Sequence, residues 1–508
     1  MAEFLHDYLV DATYTHTFFP TYSPTHLQFT ALFNGYKVEM PERPTYVELG
    51  SGQGFGTCVL AASNPDMRFI GVDFNPAHVQ HGRELAERAG LTNIEFVQAS
   101  FSDLLSHPTF FQLKADFVMI HGVYTWVNEN NRGAIHSVIN SITRPGSIIY
   151  NSHNVLPGWG QLMPMQRLFS EHADRNPKGS MDQITDAIQF AQQLKKVGFD
   201  FFHANPNASK SLDNILNASK NYLAHEYLHK DMSYPYFVDV ANRFAKDDIE
   251  FVGSTRLVSN RIKLNEIGEA NLAQALKDRM WFETLKDFKL NTQFRTDVYM
   301  REPSMYSESR RKEMLKKQKL ASIWPGEELQ FDFSGVDNTR ITDEKVQNKI
   351  KALFANIVTI EDLVAATKGT LDFEQTMDWL QTALDRDMIR VARNTDTDPE
   401  AAIRFNKIVV GENPYGSRYK FIASSVFGSG LSCPPLLALS MKVFLEKGKL
   451  EYLDFMKAME DDVRASGHWV DGINVNKDDY VRLNAEFAGF TYRFLNRILP
   501  NIQKMKSC

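Results

Sequence analysis

Tyr46-Val47-Glu48-Leu49-Gly50-Ser51-Gly52-Gln53-Gly54 is the stretch from which the rest of the chain is read. Thr45-Tyr46-Val47 are β-prone residues opening just after Pro44, so the run begins as a short buried strand. Gly50, Gly52 and Gly54 follow at alternate positions. Glycine there lets the backbone take positive φ and lets a ligand come close to the main chain. A helix over about residues 56–63 then points its free N–H groups at that ligand. A second strand, 68–73, ends in Asp73, 19 positions after Gly54. An acid in that place can accept hydrogen bonds from both hydroxyls of a ribose.

A glycine-rich turn with a ribose-binding acid fits NAD, FAD or S-adenosylmethionine. Two details choose among them. The spacing is Gly-x-Gly-x-Gly, not the Gly-x-Gly-x-x-Gly of dinucleotide sites. Glu48 also sits two residues before the first glycine, where an anion is unwelcome near a pyrophosphate but useful near a cationic methionine end. The run resembles the first motif of class I S-adenosylmethionine-dependent methyltransferases. The resemblance implies S-adenosyl-L-methionine as cofactor, held by Glu48, Gly50, Ser51, Gly52, Gly54 and Asp73.

With 508 residues, two or three domains are expected. Hydrophobic content of 43% and charged content of 23% suit a globular chain. Cys58, Cys433 and Cys508 lie far apart without metal-ligand spacing, which suits a reducing compartment. A net charge of −6 argues against a chain built mainly to hold nucleic acid. There is no apolar run of 18 residues and no signal-peptide pattern, so no membrane span is expected and the expected location is cytoplasmic.

Residues 1–45 precede the first strand and carry Tyr14, His16, Phe18, Phe19, Tyr22 and His26, as a helical cover or as a lid over the site. Residues 46–165 alternate strand and helix, which implies a doubly wound, Rossmann-like α/β domain with a mainly parallel sheet. Ligands in such sheets bind beyond the carboxyl ends of the strands. That rule selects Gly50 to Gly54, Asp73, Ser100, His121 and Asn151. Residues 166–300 read as a mainly helical middle domain, and 301–335 as a charged linker with Arg310, Arg311, Lys312, Lys316, Lys317 and Lys319. Residues 336–396 carry three helical patterns and a short strand, the outline of a winged-helix-like module, and 397–508 a C-terminal helical domain with a turn at Asn413-Pro414-Tyr415-Gly416. The few basic residues on the third of those helical patterns make the module one for protein contact or packing.

Longer runs narrow the resemblance. His121-Gly122-Val123-Tyr124-Thr125-Trp126-Val127, Asn151 to Trp159, Tyr222 to Leu228, Met280 to Phe288 and Gln293-Phe294-Arg295 together resemble bacterial methyltransferases that carry a methyltransferase regulatory domain. The best-understood of these are the rickettsial protein-lysine methyltransferases. The resemblance implies a protein lysine as acceptor; an O- or N-methyltransferase of small molecules or glycans, and a cofactor-binding interaction protein without turnover, are the competing readings. His153 departs from the family pattern, where tyrosine is expected.

A lysine acceptor must lose its proton, and desolvation beside aromatic groups lowers an amine's pKa. Tyr124 and Trp126 follow the fourth strand, where their faces either guide an ammonium by cation–π attraction or pack in the core. His121 reads as cofactor contact, acceptor base or packed histidine. Phe74 and Phe101 stand where they would flank an adenine, with Ser100 in the place of a more usual acid. Tyr22, His26, Tyr14, Asn151 and His153 are the candidate substrate and lid residues. His225-Glu226-Tyr227-Leu228-His229 matches His-Glu-x-x-His, whose two histidines and glutamate serve zinc hydrolysis. It lies inside the run that resembles the regulatory domain, so no metal is expected.

Overall fold

The computed structural model describes residues 15–229, 232–261, 278–323, 326–333, 340–412 and 418–466, with short pieces at 4–5, 8–9, 469–470, 473–474, 491 and 494–504. Tyr14, Cys508 and the turn at 413–416 lie outside the described residues.

A seven-stranded sheet organises the fold. Its strands are β1 (Thr45–Leu49), β2 (Arg68–Asp73), β3 (Ile94–Gln98), β4 (Ala115–Ile120), β5 (Thr143–Asn154), β6 (Ile249–Ser254) and β7 (Phe294–Arg301). They lie in the order β3-β2-β1-β4-β5-β7-β6. The first five run parallel, and β7 inserts antiparallel to both β5 and β6. Strand order reverses between β1 and β4, so a crevice opens beyond their carboxyl ends. Four helices cover the first half: α1 (Pro24–Phe33), α2 (Phe55–Ser63), α3 (Pro76–Arg88) and α4 (Glu129–Ile142).

Side chains alternate between the two faces, as a pleated strand buried on both sides requires. On one face Val47, Leu49, Ile70, Val72, Val118, Ile120 and Ile149 join Ile135, Val138 and Ile139 of α4 and Phe237, Val240 and Phe244 of α8 (Phe237–Ala245). On the other, Tyr46, Phe69, Phe117, Met119, Ile148 and Tyr150 meet Phe55, Val59 and Ala62 of α2. Between β5 and β6, α5 (Met163–Arg175), α6 (Ser180–Lys196) and α7 (Lys220–Tyr227) close a separate helical core around Phe169, Ile184 and Tyr227.

Three expectations are corrected. The stretch 166–300 is not wholly helical: β6 and β7 lie in it and complete the sheet begun at residue 45, with α9 (Arg279–Leu290) leading into β7. Both are buried on both faces over much of their length, with Phe251 and Val252, and Val298, Tyr299 and Met300, inside in succession, so they lack the alternation that marks a half-exposed strand. The charged run 301–335 holds α10 (Glu308–Lys316) and β8 (Lys319–Ser322), so it is not a linker throughout. Leu320 and Ala321 are buried, and β8 is the centre of a small antiparallel sheet with β9 (Val358–Thr359) and β10 (Ile389–Ala392). Finally, 397–508 is not helical throughout: the hairpin β11 (Phe421–Ser424) and β12 (Ser429–Ser432) stands among its helices.

The small sheet carries α11 (Glu344–Leu353), α12 (Ile360–Thr367) and α13 (Phe373–Asp385) around Trp379, with Phe29 and Phe33 of α1 joining that core. Helix α12 starts at a reciprocal cap: the Asp362 N–H donates to Thr359 Oγ1 at 3.1 Å, and the Thr359 N–H to Asp362 Oδ2 at 2.8 Å.

Candidate active site

Beyond the carboxyl ends of β1, β2, β3 and β4 lies a cavity of about 730 Å³. Gly50, Gly52, Asp73, Phe74, Ser100 and Phe101 line one side, His121 and Trp126 the other. Eight sequence-selected residues thus converge there from four separate loops.

The glycine turn has the conformation its composition predicts, with Gly50, Gly52 and Gly54 at φ of 84°, 52° and 71°. A Cβ on Gly50 would stand 2.5 Å from Val123 Cγ2, so only glycine lets the loop after β4 close against the turn. Gly54 does not line the cavity. It starts α2 in the left-handed region, and a Cβ there would strike the Phe96 ring at 2.6 Å. Asp73 fixes the turn: Oδ2 accepts the Gly52 N–H at 2.9 Å and Oδ1 the Asn75 N–H at 2.9 Å.

Glu48 is corrected in position. It does not line the cavity; the Thr57 hydroxyl donates to it at 2.6 Å beneath the turn. Burial pushes its carboxyl up to about 7. Ser51 is also outside the lining, its buried Oγ without a hydrogen-bond partner. Ser100 lines the cavity and donates to Asp103 at 2.6 Å, so an acid stands next to the expected position, one turn on.

His121 is held by two hydroxyls, Tyr150 Oη and Ser152 Oγ, at 2.9 and 3.1 Å from Nδ1. Burial lowers it to about 4, so its ring is neutral at neutral pH. Phe19 and Tyr22 from the N-terminal segment lie over it, at ring-centroid separations of 4.5 and 5.3 Å. Phe294 of β7 approaches from the other side at 6.3 Å. Phe19 and Phe294 are 42% exposed each, which makes an open aromatic mouth above His121.

The loop after β4 is clamped at several points. Ser152 Oγ accepts the Gly122 N–H at 2.9 Å, and Thr125 Oγ1 accepts the Asn154 N–H at 2.8 Å. Trp126 stacks on His225 and His229, with interplanar angles of 21° and 11°. Helix α7 ends at Tyr227, before His229, and Glu226 accepts the Asn154 amide at 2.9 Å. The His-Glu-x-x-His run therefore braces Trp126 and the end of β5. Among the described residues no group of three or more His, Cys, Asp and Glu could hold a metal ion.

Tyr124 is corrected: it is outside the lining, 2% exposed, with its hydroxyl 3.1 Å from His136 Nε2. The apolar space under α4 takes its ring. Asn151 and His153 are likewise buried outside the lining, 3.3 Å apart on one face of β5. His26 stands elsewhere, its ring nitrogen 2.8 Å from the Thr255 carbonyl in a different cavity. Sequence reasoning missed Val123, Val127 and Asn131 in the lining. The two valines lie in the run His121 to Val127, and Asn131 in the first turn of the helix that follows it, a position that the crevice rule points to.

The fit of this cavity to S-adenosylmethionine rests on its own chemistry: a carboxylate at the end of β2, close main-chain approach at two left-handed glycines, and flanking aromatic faces. Residues 42–196 match the family model "Methyltransferase domain", and residues 219–301 the model "Predicted methyltransferase regulatory domain". An uncharacterised protein of Synechocystis sp. is 29% identical over 444 residues, 84% of this chain and 85% of that protein. One of Rickettsia prowazekii is 25% identical over 281 residues, 54% of this chain and 49% of that protein. The structure of PKMT2 from Rickettsia typhi in complex with AdoHcy shares the fold, with a TM-score of 0.71 at 17% identity over 97% of this chain and 99% of that one. Strand order, glycine turn and both family models agree: residues 42–196 form a methyltransferase domain of the S-adenosylmethionine-dependent kind, and residues 219–301 a methyltransferase regulatory domain.

Proposed function

We propose that the acceptor is a lysine side chain of a protein. The observation that carries this reading is the open aromatic mouth over His121, formed by Phe19 and Phe294 beside the cavity. An alkyl chain packs favourably against exposed rings, and its ammonium is attracted to their faces. The likeness over nearly the whole chain to PKMT2 of Rickettsia typhi, and the family resemblance of the motifs, support the same acceptor.

S-adenosylmethionine, when bound, supplies an electrophilic methyl group on a sulfonium. In this reading Asp73 binds the ribose hydroxyls, Phe74 and Phe101 flank the adenine, and Ser100 with Asp103 reads its edge. Gly50, Ser51, Gly52 and Gly54 shape the turn, and Glu48 supports it from below through Thr57. His121 and Trp126 form the wall between cofactor and acceptor. His121, lowered to about 4, is too weak a base to deprotonate an ammonium, so the amine loses its proton to water as it passes from the exposed mouth into the enclosed cavity, where desolvation lowers its pKa. Positioning and exclusion of water carry the remaining rate. Tyr22 and Phe19 close the mouth from the N-terminal side as a lid.

The domain reading accompanies this proposal. The sheet and α1 to α4 form the catalytic part, the core of α5, α6 and α7 with Trp126 controls access, and the part beyond residue 300 recognises a large substrate. Incubation of the full chain with isotope-labelled S-adenosylmethionine and lysine-containing proteins, read by peptide mass spectrometry, tests the acceptor. Methyl groups on lysine Nζ are expected. Label confined to small molecules, or to other side chains, would overturn the reading.

A further inference from the structure

A second cavity of about 1370 Å³ lies on the far side of Phe294. Its wall holds a buried ion cluster drawn from α9 and β7. Arg295, 6% exposed, donates to Asp297 at 2.7 Å, to Asp287 at 2.8 Å and to Glu283 at 3.1 Å. Lys286 donates to Glu283 at 2.7 Å. Three carboxylates therefore share two cations, which leaves one negative charge in excess. Asp385 also lines the cavity, but the Leu257 and Val258 N–H groups occupy its carboxylate and Arg256 stands in the same wall.

The excess charge is lodged where water does not relieve it. Asp287 and Asp297 are 3% and 0% exposed, and Asp297 keeps one carboxylate oxygen without a hydrogen-bond partner. A buried, unpartnered carboxylate oxygen is costly unless something answers it. Burial raises both groups, Asp297 to about 6, the direction expected of carboxylates short of a cation.

The cavity adjoins the mouth of the cofactor site. Phe294 lines it, and its ring stands 6.3 Å from that of His121. Leu290, 50% exposed, forms part of the rim.

We propose that this cavity takes a basic side chain, lysine or arginine, of the acceptor polypeptide beside the residue that is methylated, with Asp287 and Asp297 answering its charge. The inference rests on the protein-lysine reading and adds a sequence preference to it.

The test is a binding titration on the full chain with S-adenosylhomocysteine present. Fluorescent peptides carry an acceptor lysine and, at each position within about three residues of it, either lysine, arginine or norleucine. At one position a basic residue is expected to bind about tenfold more tightly than norleucine. Asp287→Asn is expected to remove that ratio and leave the norleucine peptide unchanged. Because Asp287 is buried, Leu290→Lys serves as a second variant on an exposed position: its ammonium competes for the cavity and weakens only the basic peptides. Equal affinity for basic and norleucine peptides in the unsubstituted chain, or equal losses for both in the variants, would overturn the proposal. Methyl transfer to the acceptor lysine, followed separately by mass spectrometry, reports on the acceptor reading independently of the flanking preference.

Discussion

Glu48 shows how a single buried carboxyl couples the glycine turn to pH. Its folded-state value is raised to about 7 by burial, against an ordinary value of 4.5. The folded chain therefore holds a proton that the unfolded chain has released, and stability falls as pH rises from about 4.5 to about 7. Glu48→Gln keeps the shape and the partner for Thr57 but has no charge to bury. Denaturant melts across this range are expected to show the unsubstituted chain losing about 3 kcal/mol relative to the variant. Parallel curves would show that Glu48 is ionised throughout. Residues of this kind mark the limit of what the sequence discloses. Asp73 and the glycines could be placed because their roles follow from position along the chain. The direction of the Glu48, Tyr124 and Asn151 side chains depends on which helix covers them, and no local spacing encodes that.

At the scale of the element, the loop from His121 to Val127 carries the most function for its length. Three clamps hold it: Ser152, Thr125 to Asn154, and the stack of Trp126 on His225 and His229. Trp126 is thus the contact through which α7 and His229 beyond its end reach the cofactor cavity. Trp126→Ala is expected to lower turnover at least about tenfold, while the affinity for S-adenosylhomocysteine changes less than about threefold. Normal turnover would make Trp126 a packing residue only. The buried cluster of Arg295 is an element-scale device of another kind, joining α9 to β7. Arg295→Met leaves three carboxylates with Lys286 alone, and chemical denaturation is expected to register a loss of about 3–5 kcal/mol. A loss below about 1 kcal/mol would show that water reaches the cluster.

For the whole molecule, α2 is the informative helix, because every residue from Phe55 to Ser63 is buried. A helix that is apolar all round must be covered on both sides. The sheet covers one; the C-terminal part covers the other, with Phe55 stacked on Tyr419 at 4.8 Å and Ser63 donating to the Ser429 carbonyl at 3.0 Å. Gly430 allows the approach, since a Cβ there would stand 2.8 Å from Val59 and Phe18. The apolar run Cys58-Val59-Leu60-Ala61-Ala62 carries this information in the sequence, yet the partner that covers it lies some 360 residues away and could not be identified from the run itself. A fragment ending at residue 396 uncovers α2. Calorimetric scans of that fragment are expected to show loss of the cooperative transition of the full chain; an unchanged transition would mean that the catalytic part folds alone.

The central claim is that the cavity between Asp73 and His121 holds S-adenosylmethionine. Calorimetric titration of the full chain with S-adenosylhomocysteine, beside Asp73→Ala, tests it most directly. The account predicts binding on the order of micromolar Kd. It predicts a loss of about 2–4 kcal/mol in the variant, from one or two charge-assisted hydrogen bonds and the Gly52 anchor. No binding by the unsubstituted chain, or equal affinity in Asp73→Ala, would contradict it.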